Sequence, residues 1–137
     1  MEYYHYPKLV KNTKVVFIAM SKKLFYFRRH AVKYVLEQDY SPISQFGIFD
    51  YFVTDTVNRD QVLIANNNLI RVSDELWVFG PISDGVLAEI QLVKDQGKPI
   101  KYFKVEAEQY KHEVVPITAK EVEFEHPELK APFLQLQ

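Results

Sequence analysis

The residues with the clearest chemical potential lie between Ser73 and Phe103, and the first of them is Glu89. This glutamate lies about one and a half turns into a predicted helix that follows a turn at Gly80 to Gly85. Gly85 precedes it on the same helix face and leaves open space above the carboxylate. Because the helix dipole favours an anion, we expect Glu89 to be ionised, as a nucleophile requires. A glutamate early in a helix is also simply favourable helix chemistry, so both interpretations stay open.

Five residues besides Glu89 could contact a ligand. Ser83 and Asp84 are candidate N-caps of the helix, and capping alone would explain both. Gly85 allows close approach of the backbone, so the free N–H groups there could bind a phosphate or a sugar hydroxyl. Arg59 begins another predicted helix and could reach an anionic ligand, although a solvated arginine is the common case. Asp74 precedes a strand and is either a surface acid or a site residue.

The sequence has no pattern typical of a metal, a phosphate loop or a serine triad. Its cysteine count is zero, and its four histidines are scattered without ligand spacing: His5, His30, His112 and His126. The spacings of the P-loop and of G-x-G-x-x-G are missing. We therefore predict no metal site and no cofactor. The run Asn66 to Asn68 is either a solvated helix face or a source of one ligand hydrogen bond.

A strand, a helix and a second strand must position these candidates. The run Leu76 to Phe79 is rich in β-formers, and the run Ile100 to Val105 follows after Gly97 and Pro99. Between them, apolar residues recur at helical spacing: Val86, Ile90 and Val93. A single helix between adjacent parallel strands forms a right-handed βαβ unit, and the ligand site of such a sheet lies at the carboxyl ends of its strands.

The rest of the chain extends this pattern into an α/β fold. The run Lys14 to Met20 is apolar throughout, as expected of a central parallel strand with both faces covered. The remaining predicted elements are a helix from Ser21 to about Gln38, an extended piece at Ser41 to Ile43, a loop or broken helix over Gln45 to Thr56, a helix from Asn58 to Arg71, and an edge strand at Glu113 to Ile117. We predict a flavodoxin-like or Rossmann-like parallel sheet flanked by helices on both faces. Residues 1–137 would form one domain, with an N-terminal arm (1–13) and a surface or interface tail (118–137).

The composition limits the partners that we expect. The 137 residues are 47% hydrophobic and 26% charged, with a net charge of −1. This balance argues against non-specific binding to nucleic acid or to an anionic membrane. The apolar runs are too short for a membrane span, and the N-terminus has no signal-peptide pattern. Together with the lack of cysteine, these features lead us to expect a cytoplasmic protein.

Four segments resemble the nucleoside 2-deoxyribosyltransferase-like superfamily: Asp74 to Gly80, Ser83 to Gly85, Ala88 to Ile90, and Gly97 to Ile100. The opening strand and its helix also fit the first βα unit of that superfamily. The resemblance covers roughly residues 14 to 105 and is closer to small bacterial and phage members than to the characterised enzymes. It implies a flavodoxin-like fold.

The resemblance also implies roles for individual residues. Glu89 matches the glutamate that attacks the anomeric carbon of deoxyribose and displaces the base. Asp74 matches an acid before the central strand that helps to hold the nucleobase. Ser83 stands where the superfamily has a second acid, and Asp84 follows one place later as the candidate for that acid's role.

The function that this resemblance implies is cleavage or transfer of an N-glycosidic bond in a nucleoside or nucleotide. The substrate would bind at the loops after Met20 and Gly80, with Glu89 as the covalent nucleophile. Two alternatives remain: a non-catalytic nucleotide-binding or interaction module that uses the same cleft, and a structural oligomer in which the cleft has lost its role.

We predict that the protein is at least a dimer. Its 10 Phe and 9 Tyr include clusters at Tyr3 to Tyr6 and Phe46 to Phe52, and the tail carries the apolar pair Phe133-Leu134. Aromatic residues at this density are common at subunit interfaces. Light scattering at micromolar concentration should report at least twice the chain mass, whereas a species of 16.2 kDa would contradict the prediction.

Overall fold

The computed structural model describes residues 9–108 and 111–137, which form one five-stranded sheet with helices on both faces. The strands are β1 (Val15–Met20), β2 (Ser41–Ser44), β3 (Glu75–Phe79), β4 (Ile100–Glu108) and β5 (Lys111–Ile117). The helices are α1 (Arg28–Glu37), α2 (Gln45–Ile48), α3 (Tyr51–Thr56), α4 (Arg59–Val72), α5 (Asp84–Asp95) and α6 (Lys130–Gln135). Short 3₁₀ turns lie at Lys22–Phe27, Ala119–Glu121 and Pro127–Leu129.

The sheet has the strand order β2-β1-β3-β4-β5. The first four strands are parallel, and β5 joins β4 as an antiparallel edge strand. In the centre, Val16 of β1 lies opposite Glu75 of β3, and Leu76 of β3 lies opposite Ile100 of β4. The predicted α/β fold is confirmed, as is the predicted adjacency of the three apolar runs in parallel strands.

Both faces of β1 and β3 are buried, which explains why these strands are apolar at almost every position. Alternate residues face opposite layers, so each strand contributes to two separate cores. The first core packs under α1 and contains Val16, Ile18, Met20, Phe27, Ala31, Val35, Trp77, Phe79 and Phe103. The second packs under α4 and α5 and contains Phe17, Ala19, Ile70, Leu76, Val78, Ile82, Val86, Ile90, Val93, Tyr102 and Phe133.

This topology favours a ligand site at the carboxyl ends of β1 and β3. The chain leaves β1 towards β2 through α1 on one face, and it returns to β3 through α4 on the other face. The connections therefore diverge between β1 and β3, which is the topological switch point of the sheet. In open α/β sheets ligands bind in the crevice at this point.

The tail after β5 packs against the body of the protein. Phe133 is fully buried in the core under α5, and its ring meets those of Tyr102 and Phe124 edge to face. Whether the tail also forms a subunit interface stays a prediction. Of the aromatic clusters expected at such an interface, Tyr3 to Tyr6 lie outside the described residues, whereas Tyr51 and Phe52 are largely exposed.

Within the described ranges, no helix is long and apolar enough to cross a membrane.

The turn after β3 requires a glycine, and we predict that Gly80→Ala destabilises the fold. Gly80 has φ +81°, and a Cβ at this position would collide with the side chain of Leu24. We expect a loss of roughly 1–2 kcal/mol in the free energy of unfolding for the left-handed backbone alone. Urea denaturation monitored by circular dichroism measures the change.

Gly85→Ala is the matched control for this substitution. Gly85 lies in the first turn of α5, and a Cβ there would meet nothing within 4 Å. We expect it to raise the free energy of unfolding by a few tenths of a kcal/mol, up to about 1 kcal/mol, because alanine is the better helix former. Equal effects at the two glycines would contradict the account of the turn.

Candidate active site

The helix α5 carries Glu89 on its buried face. Ser83 caps this helix by accepting a hydrogen bond from the N–H of Val86 at 3.3 Å. Val86 and Val93 mark the stripe that packs on the sheet, and Glu89 lies between them at helical spacing, three residues after the first and four before the second. Only 7% of Glu89 is exposed. The sequence indicates this burial, because Glu89 occupies a position of the apolar stripe of the helix.

Asn66 of α4 is the hydrogen-bond partner of this carboxylate. Its Nδ2 donates to Glu89 Oε2 at 3.1 Å, and its own side chain is also only 7% exposed. The Oδ1 atom of Asn66 is buried and has no hydrogen-bond partner among the described residues. An acceptor in this state is costly to bury, so the pair has unused capacity to bind a hydroxyl or an acidic proton.

Burial raises the pKa of Glu89 from 4.5 to about 7, and the hydrogen bond from Asn66 opposes the shift. The expectation that the helix dipole keeps Glu89 ionised is therefore wrong. Glu89 is the sixth residue of α5, and the dipole effect falls off within the first turn, so desolvation dominates. A carboxyl group with a pKa near 7 is a nucleophile when ionised and a proton donor when neutral.

Four of the predicted site residues lie at the carboxyl edge of the sheet, and Glu89 follows near the middle of α5, as the sixth of its 12 residues. Since α4 and α5 both run back from the carboxyl edge of the parallel strands, their N-termini lie at that edge. Ser83 and Asp84 begin α5, Gly85 follows with open space above its Cα, and the exposed Arg59 begins α4.

The structure does not bring Asp74 or the side chain of Met20 to this site. Asp74 lies at the amino edge of the sheet, where its Oδ2 accepts a hydrogen bond from the N–H of Val15 at 2.7 Å. It ties the starts of β1 and β3 together, at the opposite edge from α5. Met20 is 2% exposed and fills the core under α1. Gly80 lies in the turn at the carboxyl edge. Its close packing against Leu24 explains why a glycine is needed there without any contact to a ligand.

A second buried glutamate, Glu75, lies at the amino edge and differs from Glu89 in its partners. Its carboxylate accepts a hydrogen bond from Trp77 Nε1 at 3.0 Å and forms ion pairs at 3.8 Å with both Lys14 and Lys101. A groove of about 760 Å³ lies beside it, lined in part by Lys101. This groove follows the start of β4 and the end of α5, and Glu89 is not among the residues that line it.

The C-terminal segment 122–125 brings a further carboxylate to the carboxyl edge. Ile82 donates its N–H to the carbonyl of Glu123 at 2.9 Å, and Glu125 donates its N–H to the carbonyl of Ile82 at 3.0 Å. The side chain of Glu125 then accepts a hydrogen bond from the hydroxyl of Ser21, directly after β1. Sequence reasoning missed Glu125, because Ser21 and Glu125 are 104 positions apart and no local pattern links them.

Among residues 9–108 and 111–137, no three histidine, aspartate or glutamate side chains are grouped so as to hold a metal ion.

The family model of a domain of unknown function, DUF7768, matches residues 18–103, and the chain belongs to this family. A comparison with curated proteins gives no match. Among solved structures, a 2-deoxyribosyltransferase from Leishmania mexicana is similar at a TM-score of 0.53 and 15% identity, over 89% of this chain and 97% of that one. The CMP N-glycosidase BcmB from Clostridium botulinum is similar at a TM-score of 0.49 and 23% identity, over 72% of this chain and 75% of that one.

The similarity to the Leishmania enzyme spans nearly the whole of both chains. It confirms the α/β fold that the resemblance implies. At 15% identity the likeness identifies the fold and leaves the reaction to be argued from the site.

The raised pKa of Glu89 predicts that this carboxyl group destabilises the fold as the pH rises. In the folded state the Glu89 carboxyl group holds its proton up to about pH 7, whereas in the unfolded chain it loses the proton near pH 4.5. The contribution of this group to the free energy of unfolding is therefore fully present below pH 4.5 and is lost as the pH rises through 7. We expect Glu89→Gln to match the wild type near pH 4 and to exceed its free energy of unfolding by about 3 kcal/mol at pH 8.

Urea denaturation at several pH values between 4 and 8 measures this difference. The matched control is Asp95→Asn, which removes an exposed carboxylate from the other end of the same helix. Its difference from the wild type should stay nearly constant over the range. A constant difference for Glu89→Gln as well would mean that the carboxyl group has no raised pKa.

Proposed function

We propose that this member of the DUF7768 family cleaves or transfers the N-glycosidic bond of a nucleoside or nucleotide, with the carboxylate of Glu89 as nucleophile. The observation that supports this most directly is the state of Glu89: a buried carboxylate whose hydrogen-bond partner among the described residues is one asparagine amide. The fold supports the same proposal, because a 2-deoxyribosyltransferase shares it.

The contrast with Glu75 makes the argument specific. Both glutamates are buried, and burying a charge is costly unless other groups compensate it. Two lysines and an indole N–H compensate Glu75, so its structural role is sufficient. Glu89 forms no ion pair within the described part of the chain, and its partner Asn66 keeps an unused acceptor. A perturbed carboxyl group in this setting, beside a crevice, is typical of a functional site.

The chemistry proceeds in two displacements. In its ionised form Glu89 attacks the anomeric carbon of the sugar, the bond to the base breaks, and a glycosyl ester forms. Water then hydrolyses this ester, or a second base accepts the sugar. The Nδ2 group of Asn66 holds the carboxylate in place, and its free Oδ1 accepts a hydrogen bond from a sugar hydroxyl. Such contacts strengthen as charge develops on the sugar in the transition state.

Residues at the N-termini of α4 and α5 would contact the rest of the substrate. Gly85 leaves room for the sugar above Glu89, while Ser83 and Asp84 offer oxygen atoms to sugar hydroxyls or to the base. Arg59 supplies a positive charge suited to a 5′-phosphate. Because Glu89 is only 7% exposed, the side chains around it move apart when the substrate binds.

A non-catalytic module that binds nucleosides or nucleotides is the second candidate. The raised pKa of Glu89 favours it, since at a pKa of about 7 only about half of the molecules carry the nucleophilic form at neutral pH. A neutral carboxyl group beside the Asn66 amide could instead recognise the edge of a base through paired hydrogen bonds. The two functions differ in whether bound nucleoside is turned over.

We expect Glu89→Gln to abolish release of free base, by a factor on the order of 10⁴ or more in kcat, as is found when a reacting group is removed. The assay follows release of free base by chromatography for purine and pyrimidine deoxynucleosides and their 5′-monophosphates. Asp95→Asn, at the other end of α5, should keep full activity. Wild-type activity should rise as the pH rises to about 7, because the nucleophile must be ionised.

Two results would decide against the proposal. Full activity of Glu89→Gln would exclude this residue as the nucleophile. Binding of a nucleoside by calorimetry without any release of base would identify the chain as a binding module.

A further inference from the structure

We propose that Glu125 is the second carboxyl group of the site, and that it donates a proton to the leaving base and later takes one from the attacking water. This inference rests on the proposed N-glycosidic reaction. It assigns to this chain a residue that lies outside the region matched by its family, residues 18–103.

The position of Glu125 is the first step. Its side chain is bound to Ser21, the first residue after β1, and its N–H is bound to Ile82, three residues after the end of β3. β1 and β3 are the two strands that flank the topological switch point. The segment 122–125 therefore crosses the crevice in which a doubly wound sheet binds its ligand.

The rigidity of this placement is the second step. Ile82 and Phe124 form a parallel β-bridge, so the backbone from Glu123 to Glu125 is fixed to the turn after β3. Phe124 packs against the core under α5 and meets the buried Phe133 edge to face. A carboxyl group held from two sides in this way is positioned at little entropic cost when a substrate binds.

The unused capacity of the carboxyl group is the third step. Ser21 donates to one oxygen, Oε1. Across the described residues, Oε2 has no hydrogen-bond donor and no cation forms an ion pair with the group. Glu125 is half-buried, and its second oxygen is free to bind a group of a ligand.

The reaction balances with these two carboxyl groups. In the first displacement the Glu89 carboxylate bonds to the anomeric carbon, the bond from that carbon to the base breaks, and the proton of Glu125 passes to a nitrogen or oxygen of the base. In the second, water bonds to the anomeric carbon, the ester to Glu89 breaks, and the Glu125 carboxylate takes the proton of the water. The sum is one nucleoside and one water converted to free sugar and free base.

The experiment compares Glu125→Gln with Glu123→Gln on two substrates. The glutamine at 125 keeps the acceptor for Ser21 but cannot supply a proton. Glu123 is an exposed carboxylate of the same segment and contributes its backbone carbonyl to the bridge, so its substitution is the matched control. The substrates are a deoxynucleoside that the wild type turns over and 4-nitrophenyl 2-deoxyriboside, whose leaving group departs without a proton.

We expect Glu125→Gln to lose roughly 100-fold or more in kcat/KM on the deoxynucleoside, the usual contribution of a general acid. On the nitrophenyl substrate kcat/KM, which reports the first displacement, should stay within a few-fold of the wild type, and this also demonstrates that the variant is folded. Its kcat should fall on both substrates, because the second displacement lacks its base. Glu123→Gln should match the wild type on both substrates.

The other outcomes overturn the inference in distinguishable ways. Wild-type activity of Glu125→Gln on the deoxynucleoside would remove Glu125 from the mechanism and leave the role of Glu89 intact. Equal losses in kcat/KM on both substrates would mean that Glu125 only holds the segment in place. If the wild type turns over neither substrate, the proposed function fails, and the role of Glu125 fails with it.

Discussion

The burial of β1 and β3 on both faces is the constraint on which the rest of the structure depends. Every residue of β3, and all but the first of β1, is withdrawn from solvent, so helices must cover the sheet on both sides. α1 covers one face, and α4 with α5 covers the other. Because these connections leave β1 and β3 in opposite directions, the same arrangement that buries the strands also opens a crevice at their carboxyl ends.

The two buried glutamates differ in the groups that compensate their charge. At the amino edge Glu75 has two lysines and an indole N–H as partners, and Asp74 ties the starts of the central strands together. Glu89, under α4 and α5, has a single asparagine amide, and burial raises its pKa to about 7. Two cations and an N–H donor thus compensate Glu75, whereas one amide alone compensates Glu89.

The C-terminal segment links the core to this crevice. Phe133 fills the core beneath α5, and the bridge between Ile82 and Phe124 carries the chain from there across the ends of β1 and β3. The core packing of the tail therefore also fixes where Glu125 lies. The family-matched region contains β2, β3, parts of β1 and β4, and Glu89, whereas Glu125 lies in the segment that follows it.

The sequence by itself determined the elements and their order. Relations between neighbours along the chain are enough to predict parallel strands and the helix between them. The strands are indicated by the apolar runs Val15 to Met20 and Leu76 to Phe79, and the helix by the spacing of Val86, Ile90 and Val93. Only the tertiary structure decided the pKa of Glu89, the edge of the sheet at which Asp74 lies, and the position of Glu125 beside Ser21. Each depends on partners that folding brings from elsewhere: Asn66 lies 23 positions from Glu89, and Ser21 lies 104 positions from Glu125. Desolvation and hydrogen bonding at a site are properties of all the groups that surround it, and a local pattern contains only those that are adjacent in sequence.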